Sequence, residues 1–182
     1  MSRTDARIRY TQGVLKQALL SFLQEKPINK ITVKEVCERA ELNRATFYAH
    51  YSDCFALLES IEEDLLEAFR QSLKLVDSFD VTALIEALYA MIEQQQEACR
   101  VLIFQNASPN VLRRMIDLAR SESIAYWRRH LRRATDAELE MLYTHLSNGL
   151  MRVIVDGYEK YDREEVVHFV NRIVKCSLSQ FQ

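Results

Sequence analysis

Residues 43–54 read NRATFYAHYSDC. Four side chains in this stretch can hydrogen-bond to a polyanion. Arg44 can fork onto a guanine edge or a phosphate. The Thr46 and Tyr48 hydroxyls can donate to phosphate oxygens. His50 adds a titratable ring. At about 100° per residue on a helix, Phe47 and Tyr51 share the opposite face. Ala45 and Ala49 lie between the polar groups. Small residues there let a helix approach a groove, and an alanine methyl can meet a thymine methyl. The same face could instead pack against another helix of this protein, and spacing alone leaves both readings open.

The preceding elements must position that stretch. ITVKEVCERA carries Thr32 followed three residues later by Glu35, the pattern of a capping box. Val33, Val36, Cys37 and Ala40 then fall on one stripe. ELN breaks the helix, Leu42 plugs the joint, and Asn43 caps a short helix over 44–50. Ser52 and Asp53 cap a long helix from about Cys54 to Val76. Two short helices joined by a tight turn, at 33–50, are a helix-turn-helix, whose second helix enters the DNA major groove.

Composition limits the rest. The chain has 182 residues, 48% of them hydrophobic, with only three glycines and two prolines. So few turn formers favour an all-α fold over a sandwich, a barrel or an α/β sheet. Helical periodicity places about nine helices: 4–24, 33–40, 44–50, 54–76, 80–95, 97–106, 109–132, 136–157 and 162–180. A DNA-binding domain is expected over 1–52 and a helical effector-binding and dimerisation domain over 53–182. Net charge is -2, yet residues 1–54 hold nine Lys/Arg against six Asp/Glu, and the remainder fifteen against twenty. A basic head on an acidic body suits a polyanion at one end.

Catalysis finds little support. His50, His130, His145 and His168 are scattered, and no nucleophile elbow, P-loop or dinucleotide motif occurs. Cys37, Cys54, Cys99 and Cys176 form no CxxC pair and no zinc spacing, so no metal is expected. Reduced thiols, a polar N-terminus and the lack of a long apolar run predict a cytoplasmic protein that does not enter a membrane.

ITVKEVCERAELNRATFYAHYSDCFALL resembles the DNA-binding domain of the TetR family of bacterial transcriptional repressors. The matching residues are Ile31, Thr32, Val33, Ala40, Leu42, Arg44, Thr46, Phe47, Tyr48, His50 and Tyr51, with Leu57 and Leu58 in the following helix. The likeness covers roughly residues 8–60; the remainder fits the family only as a helical body of suitable length. The resemblance implies a homodimer on double-stranded DNA with a palindromic operator. It also implies a small-molecule effector of unknown identity and no cofactor. Thr32, Lys34, Arg44, Ala45, Thr46, Tyr48 and His50 would then lie at or near DNA, with Phe47 and Tyr51 in the core. An effector would favour a head separation that cannot span successive major grooves.

Two departures matter. Glu41 stands in the turn where the family usually has glycine, so it would need a left-handed conformation. Cys54 stands where the family commonly has a lysine that reaches phosphate. These two features keep an alternative open. It is the protein-interaction coactivators of the same fold that work with dihydroxyacetone kinase subunits. The place of Cys54 at a helix N-terminus also raises the idea of a low-pKa redox thiol, against an ordinary surface or half-buried cysteine.

In the body, Tyr89, Met91, Phe104, Met115, Tyr126, Trp127, Tyr143 and His145 could line an effector pocket or simply form core. Leu139, Leu142, Leu146, Leu150, Val153 and Ile154 form one apolar stripe. Val166, Phe169, Val170, Ile173 and Val174 form another. They could meet a second copy as a four-helix interface or fill the protomer's own core. Gly149 inside the first stripe suggests a close helix approach. AYWRRHLRRA (residues 125–134) reads as a solvated, arginine-rich helix end.

Overall fold

The structure is a computed structural model that describes residues 3–73, 79–106 and 108–182. The described residues are all-helical: α1 (Arg3–Leu23), α2 (Val33–Arg39), α3 (Arg44–Tyr48), α4 (Cys54–Leu73), α5 (Thr82–Gln94), α6 (Gln96–Cys99), α7 (Asn110–His130), α8 (Asp136–Gly157) and α9 (Arg163–Ser179). All nine expected helices are present, with ends shifted by a few residues. The end expected for the fourth, near Val76, lies outside the described residues. One feature was not foreseen: Arg100–Phe104 continues α6 as a π-helical turn, closed by Gln105 N–H donating to the Arg100 carbonyl at 2.9 Å.

Helix starts follow the capping chemistry. Thr32 and Glu35 form a reciprocal box at α2, and Thr135 and Glu138 form one at α8. Asp80 Oδ1 accepts from Thr82 N–H at 2.9 Å at the start of α5. Asp53, rather than Ser52, caps α4: its Oδ1 accepts from Ala56 N–H at 2.8 Å.

The chain divides into two compact units, residues 1–65 with 97–108, and residues 66–96 with 109–182. The first unit reaches past residue 52. It takes in the first part of α4 and the π-helical turn, whose Val101, Leu102 and Ile103 are buried. Two polar ties hold that turn inside the unit. Arg100 Nη2 donates to Gln24 Oε1 at 3.3 Å, and Ser108 Oγ donates to Glu62 Oε1 at 2.6 Å. The core of this unit holds Leu15, Leu19, Val36, Phe47 and Leu57, all fully buried. Ile8, placed on the same α1 stripe by spacing, is exposed.

The second unit packs α7 on α8 and α8 on α9. Gly157 allows a close approach there, since a Cβ at this position would stand 3.0 Å from Val166 Cγ2. At Gly149 a Cβ would meet nothing within 4 Å, so close packing inside the protomer does not account for that glycine. Asn171 ties α9 to the start of α5. It donates to Thr82 Oγ1 at 2.8 Å and accepts from Val81 N–H at 2.9 Å. Arg163 pairs with Glu86 and Glu93 of α5 and lies 5.2 Å from the Tyr89 ring centroid.

Candidate nucleic-acid interface

Helices α2 and α3, seven and five residues long, are too short to persist alone. Their neighbours hold them. Glu35 accepts from Lys26 Nζ at 2.6 Å as well as from the Thr32 hydroxyl and N–H. These bonds pull the Glu35 carboxyl down to about 2. Arg39 donates to Ser21 Oγ at 2.8 Å, and its guanidinium sits 4.1 Å from the Phe22 ring centroid. Lys16 pairs with Asp64 at 2.5 Å.

The turn between them is a Schellman closure. Leu42 N–H donates to the Cys37 carbonyl at 2.9 Å and Glu41 N–H to the Glu38 carbonyl at 3.3 Å. Glu41 carries the left-handed conformation such a closure needs, with φ 54°. The strain expected from a non-glycine residue is therefore present, and the Glu41 side chain is exposed.

Phe47 is fully buried and Tyr51 is 8% exposed, with ring centroids 6.0 Å apart. They anchor α3 by one face. The other face presents Arg44, Ala45, Tyr48 and Ala49 to solvent, Tyr48 at 57% exposure. Arg44 makes no ion pair among the described residues. Lys34 is exposed on α2 and only loosely paired with Glu38, at 3.7 Å. His50 is half-buried beside Tyr51.

Two of the expected contact residues are already engaged. Thr32 spends its hydroxyl on the capping box, donating to Glu35 Oε2 at 2.8 Å. Thr46 is half-buried and donates its hydroxyl to Asn43 Oδ1 at 2.9 Å. The expectation that Thr46 donates to phosphate is corrected: its proton is committed within the helix cap. Lys34, Arg44, Ala45 and Tyr48 remain on the open surface. Spacing did not single out Phe55, which is 57% exposed one residue into α4.

Cys54 points inward, at 4% exposure. The surface or half-buried placement expected for it is overturned, and so is the low-pKa thiol. Burial first, and then the adjacent Asp53 carboxylate, push its pKa up to about 11. Removal from water outweighs the helix-end dipole.

The second unit encloses a cavity of about 150 Å³. Leu84 and Leu88 of α5, Tyr126 and Trp127 of α7, and Ser147 and Ile154 of α8 are among its walls. Of the five residues expected at an effector pocket, Trp127 lines it. Tyr89 and Met115 are fully packed core, and Tyr89 donates to the Ile154 carbonyl at 3.3 Å. Phe104 belongs to the first unit, and His145 is exposed on the outer side of α8. Tyr143 lines the cavity and donates to the Ile116 carbonyl at 2.5 Å, and burial pushes its hydroxyl up to about 12.

The expected dimer stripe divides. Leu146, Val166 and Val170 are buried within the protomer and cannot meet a second copy. Leu142, Leu150 and Ile173 are half-buried and Phe169 is 40% exposed. The open strip on α8 instead carries Met141, His145 and Gly149, at four-residue intervals. The helix has several buried sides, so an apolar stripe in sequence did not identify its outer one. The arginines of residues 128–133 are exposed, and Arg128 pairs with Asp136 at 2.9 Å. No helix among the described residues is long and apolar enough to cross a membrane, and no cluster of His, Cys, Asp and Glu there could hold a metal.

No family model matches the chain. A stretch of 84 residues, 46% of the chain, is 32% identical to YxbF of Bacillus subtilis (strain 168), described as an uncharacterised HTH-type transcriptional regulator. That stretch is only 21% of YxbF, so the chain spans about a fifth of the length of this relative. Solved structures match over nearly the whole chain. A transcriptional regulator of Pseudomonas aeruginosa aligns with TM-score 0.63 and 14% identity, over 94% of this chain and 93% of that one. A TetR/AcrR-family regulator of Aquifex aeolicus aligns with TM-score 0.61 and 15% identity, over 92% and 99%. The dihydroxyacetone kinase operon activator DhaS aligns with TM-score 0.57 and 15% identity, over 94% and 98%.

Proposed function

Starting from the fold it shares with TetR-type regulators, we propose that this chain is a DNA-binding transcriptional regulator. It acts as a homodimer on a palindromic operator and represses until a small molecule enters its body. The observation that carries the reading is the division of α3 into two faces. Phe47 and Tyr51 fix the helix to its unit, while Arg44, Ala45, Tyr48 and Ala49 stand open on the other side. Nothing inside the protomer uses that second face. A guanidinium and a phenol flanking two alanines suit a major groove, and Lys34 adds a charge for the phosphate backbone.

The dimer contact is assigned to the outer strip of α8 and α9. Met141 is 62% exposed, Phe169 is 40% exposed, and Gly149 leaves room for a second helix. Such a contact would relate two heads by a two-fold axis and so call for an inverted repeat in the DNA.

Selection from a random pool of DNA duplexes tests the reading. An enriched inverted repeat whose binding weakens steeply with salt is the expected result. A pool that stays unenriched at low salt would overturn it. Phe169→Glu should convert a dimer to a monomer in light scattering and weaken binding to the full repeat.

A further inference from the structure

The cavity in the second unit has a chemical bias that defines its ligand. Its walls are apolar and aromatic, and no lysine, arginine or histidine is among them. The one carboxylate, Glu122, is exposed at its edge. An anion would meet no counter-charge inside and a like charge on entry, and a cation would find no buried partner. The occupant must therefore be neutral.

One polar group inside is unspent. Ser147 Oγ is buried and has no hydrogen-bond partner. It lies beside the Tyr143 hydroxyl, which influences Tyr143 without forming a bond of sound geometry. Serines within helices commonly bond back to the carbonyl four residues earlier. Thr144 and Asn148, its close neighbours on α8, bond back in this way, to Glu140 and Thr144. Ser147 does not, and it faces the cavity instead. A buried hydroxyl without a partner is costly, and a ligand oxygen would relieve it.

We infer that this cavity binds a small neutral, mainly apolar molecule carrying one hydrogen-bond acceptor, held by the Ser147 hydroxyl against Trp127 and Tyr126. A void of this size holds a benzene-sized body, on the order of six to nine heavy atoms. Cyclic ketones and similar carbonyl compounds fit, and fatty acids, phosphate esters and other anions do not. Its regulatory meaning rests on the proposed regulator function; the binding itself does not.

Trp127 is the only tryptophan in the chain, so its emission reports occupancy directly. The intact protein is titrated with cyclohexanone, with benzene as an acceptor-free probe and with cyclohexanecarboxylate as an anion. Cyclohexanone should give a saturable change, with the carboxylate at least ~10-fold weaker. Ser147→Ala should weaken cyclohexanone about 10-fold and leave benzene unchanged, as loss of one hydrogen bond requires. Ala119→Leu, which fills the cavity, should leave only linear collisional quenching, with an unaltered helical signal in circular dichroism. The inference is overturned if cyclohexanone never saturates, if the carboxylate binds as tightly, or if Ser147→Ala leaves the ketone unaffected. No DNA enters this assay, so its failure and a failure to select an operator are separate results.

Discussion

Asn43 holds Thr46 twice: its Oδ1 accepts the Thr46 backbone N–H at 2.7 Å and the Thr46 hydroxyl at 2.9 Å. The pair closes the first turn of α3 before any DNA is present. A five-residue helix has few bonds of its own, so its cap and its buried Phe47 carry most of its order. Asn43 and Thr46 thus set the direction in which Arg44 and Tyr48 project.

Asn43→Ala should lower stability by about 1 kcal/mol, the usual cost of removing an N-cap. Urea unfolding measures it. Thr46→Val keeps the shape and removes one of the two bonds, so its loss should be smaller, ~0.5 kcal/mol. A Thr46→Val loss larger than that of Asn43→Ala would mean that the hydroxyl has a further partner.

The exposed and committed residues should separate in DNA binding. Arg44→Ala should weaken binding and reduce the salt slope by about one unit if it meets a phosphate. Tyr48→Ala should also weaken binding. Thr46→Val should leave the salt slope unchanged, because its proton is already given to Asn43. Titrations at three salt concentrations on the selected operator give all three slopes.

Glu41 at φ 54° holds a conformation that costs a side-chain-bearing residue about 1 kcal/mol or more. Glycine there removes the strain but makes the unfolded chain more flexible. Glu41→Gly should therefore stabilise by a net ~0.5–1 kcal/mol in urea unfolding. It also removes an exposed negative charge from the turn, so DNA affinity at low salt should rise. Destabilisation by this substitution would show that the Glu41 side chain makes a stabilising interaction.

Much of this was legible because it is local. Thr32 with Glu35, Thr135 with Glu138, and Asn43 each announce a helix start three residues ahead, and all three caps form. The Phe47/Tyr48 division of α3 was legible for the same reason: one buried side and one open side make the periodicity informative. In the body that condition fails. Tyr89 and Trp127 look alike in sequence, yet one is packed core and the other borders a void. His145 looked like a polar group for a pocket, but it lies one turn from exposed Met141 on the outer strip. Which side of a many-sided helix meets a cavity depends on how neighbouring helices fail to fill space, and no residue spacing encodes that.

The cysteines should differ sharply toward a thiol reagent. Cys37, Cys54 and Cys99 are buried and Cys176 is exposed. Burial pushes Cys99 up to about 12 and Cys54 up to about 11, so neither offers a thiolate near neutrality. In the native protein one thiol per chain should react quickly, and Cys176→Ser should remove that reaction. All four should react once the protein is unfolded. Rapid native labelling of Cys54 would contradict its inward placement.

Glu35 makes the head's stability depend on pH in a defined window. Its folded pKa of about 2 lies below its ordinary 4.5, because Lys26 and then the Thr32 hydroxyl and N–H favour the carboxylate. A lowered pKa means that the unfolded chain takes up the proton first. The stabilisation is fully present above pH 4.5 and disappears as the pH falls from 4.5 toward 2. Glu35→Gln should therefore be less stable than the parent at pH 7, and the gap should shrink steadily below pH 4.5. Lys26→Met should raise the Glu35 pKa and narrow the window. Glu138, whose pKa is lowered by the Thr135 N–H and hydroxyl without a lysine, should give a gap of the same sign. Unfolding in urea at a series of pH values measures each gap. A Glu35→Gln gap that stays constant from pH 7 to pH 3 would show that the carboxylate charge contributes nothing to the box.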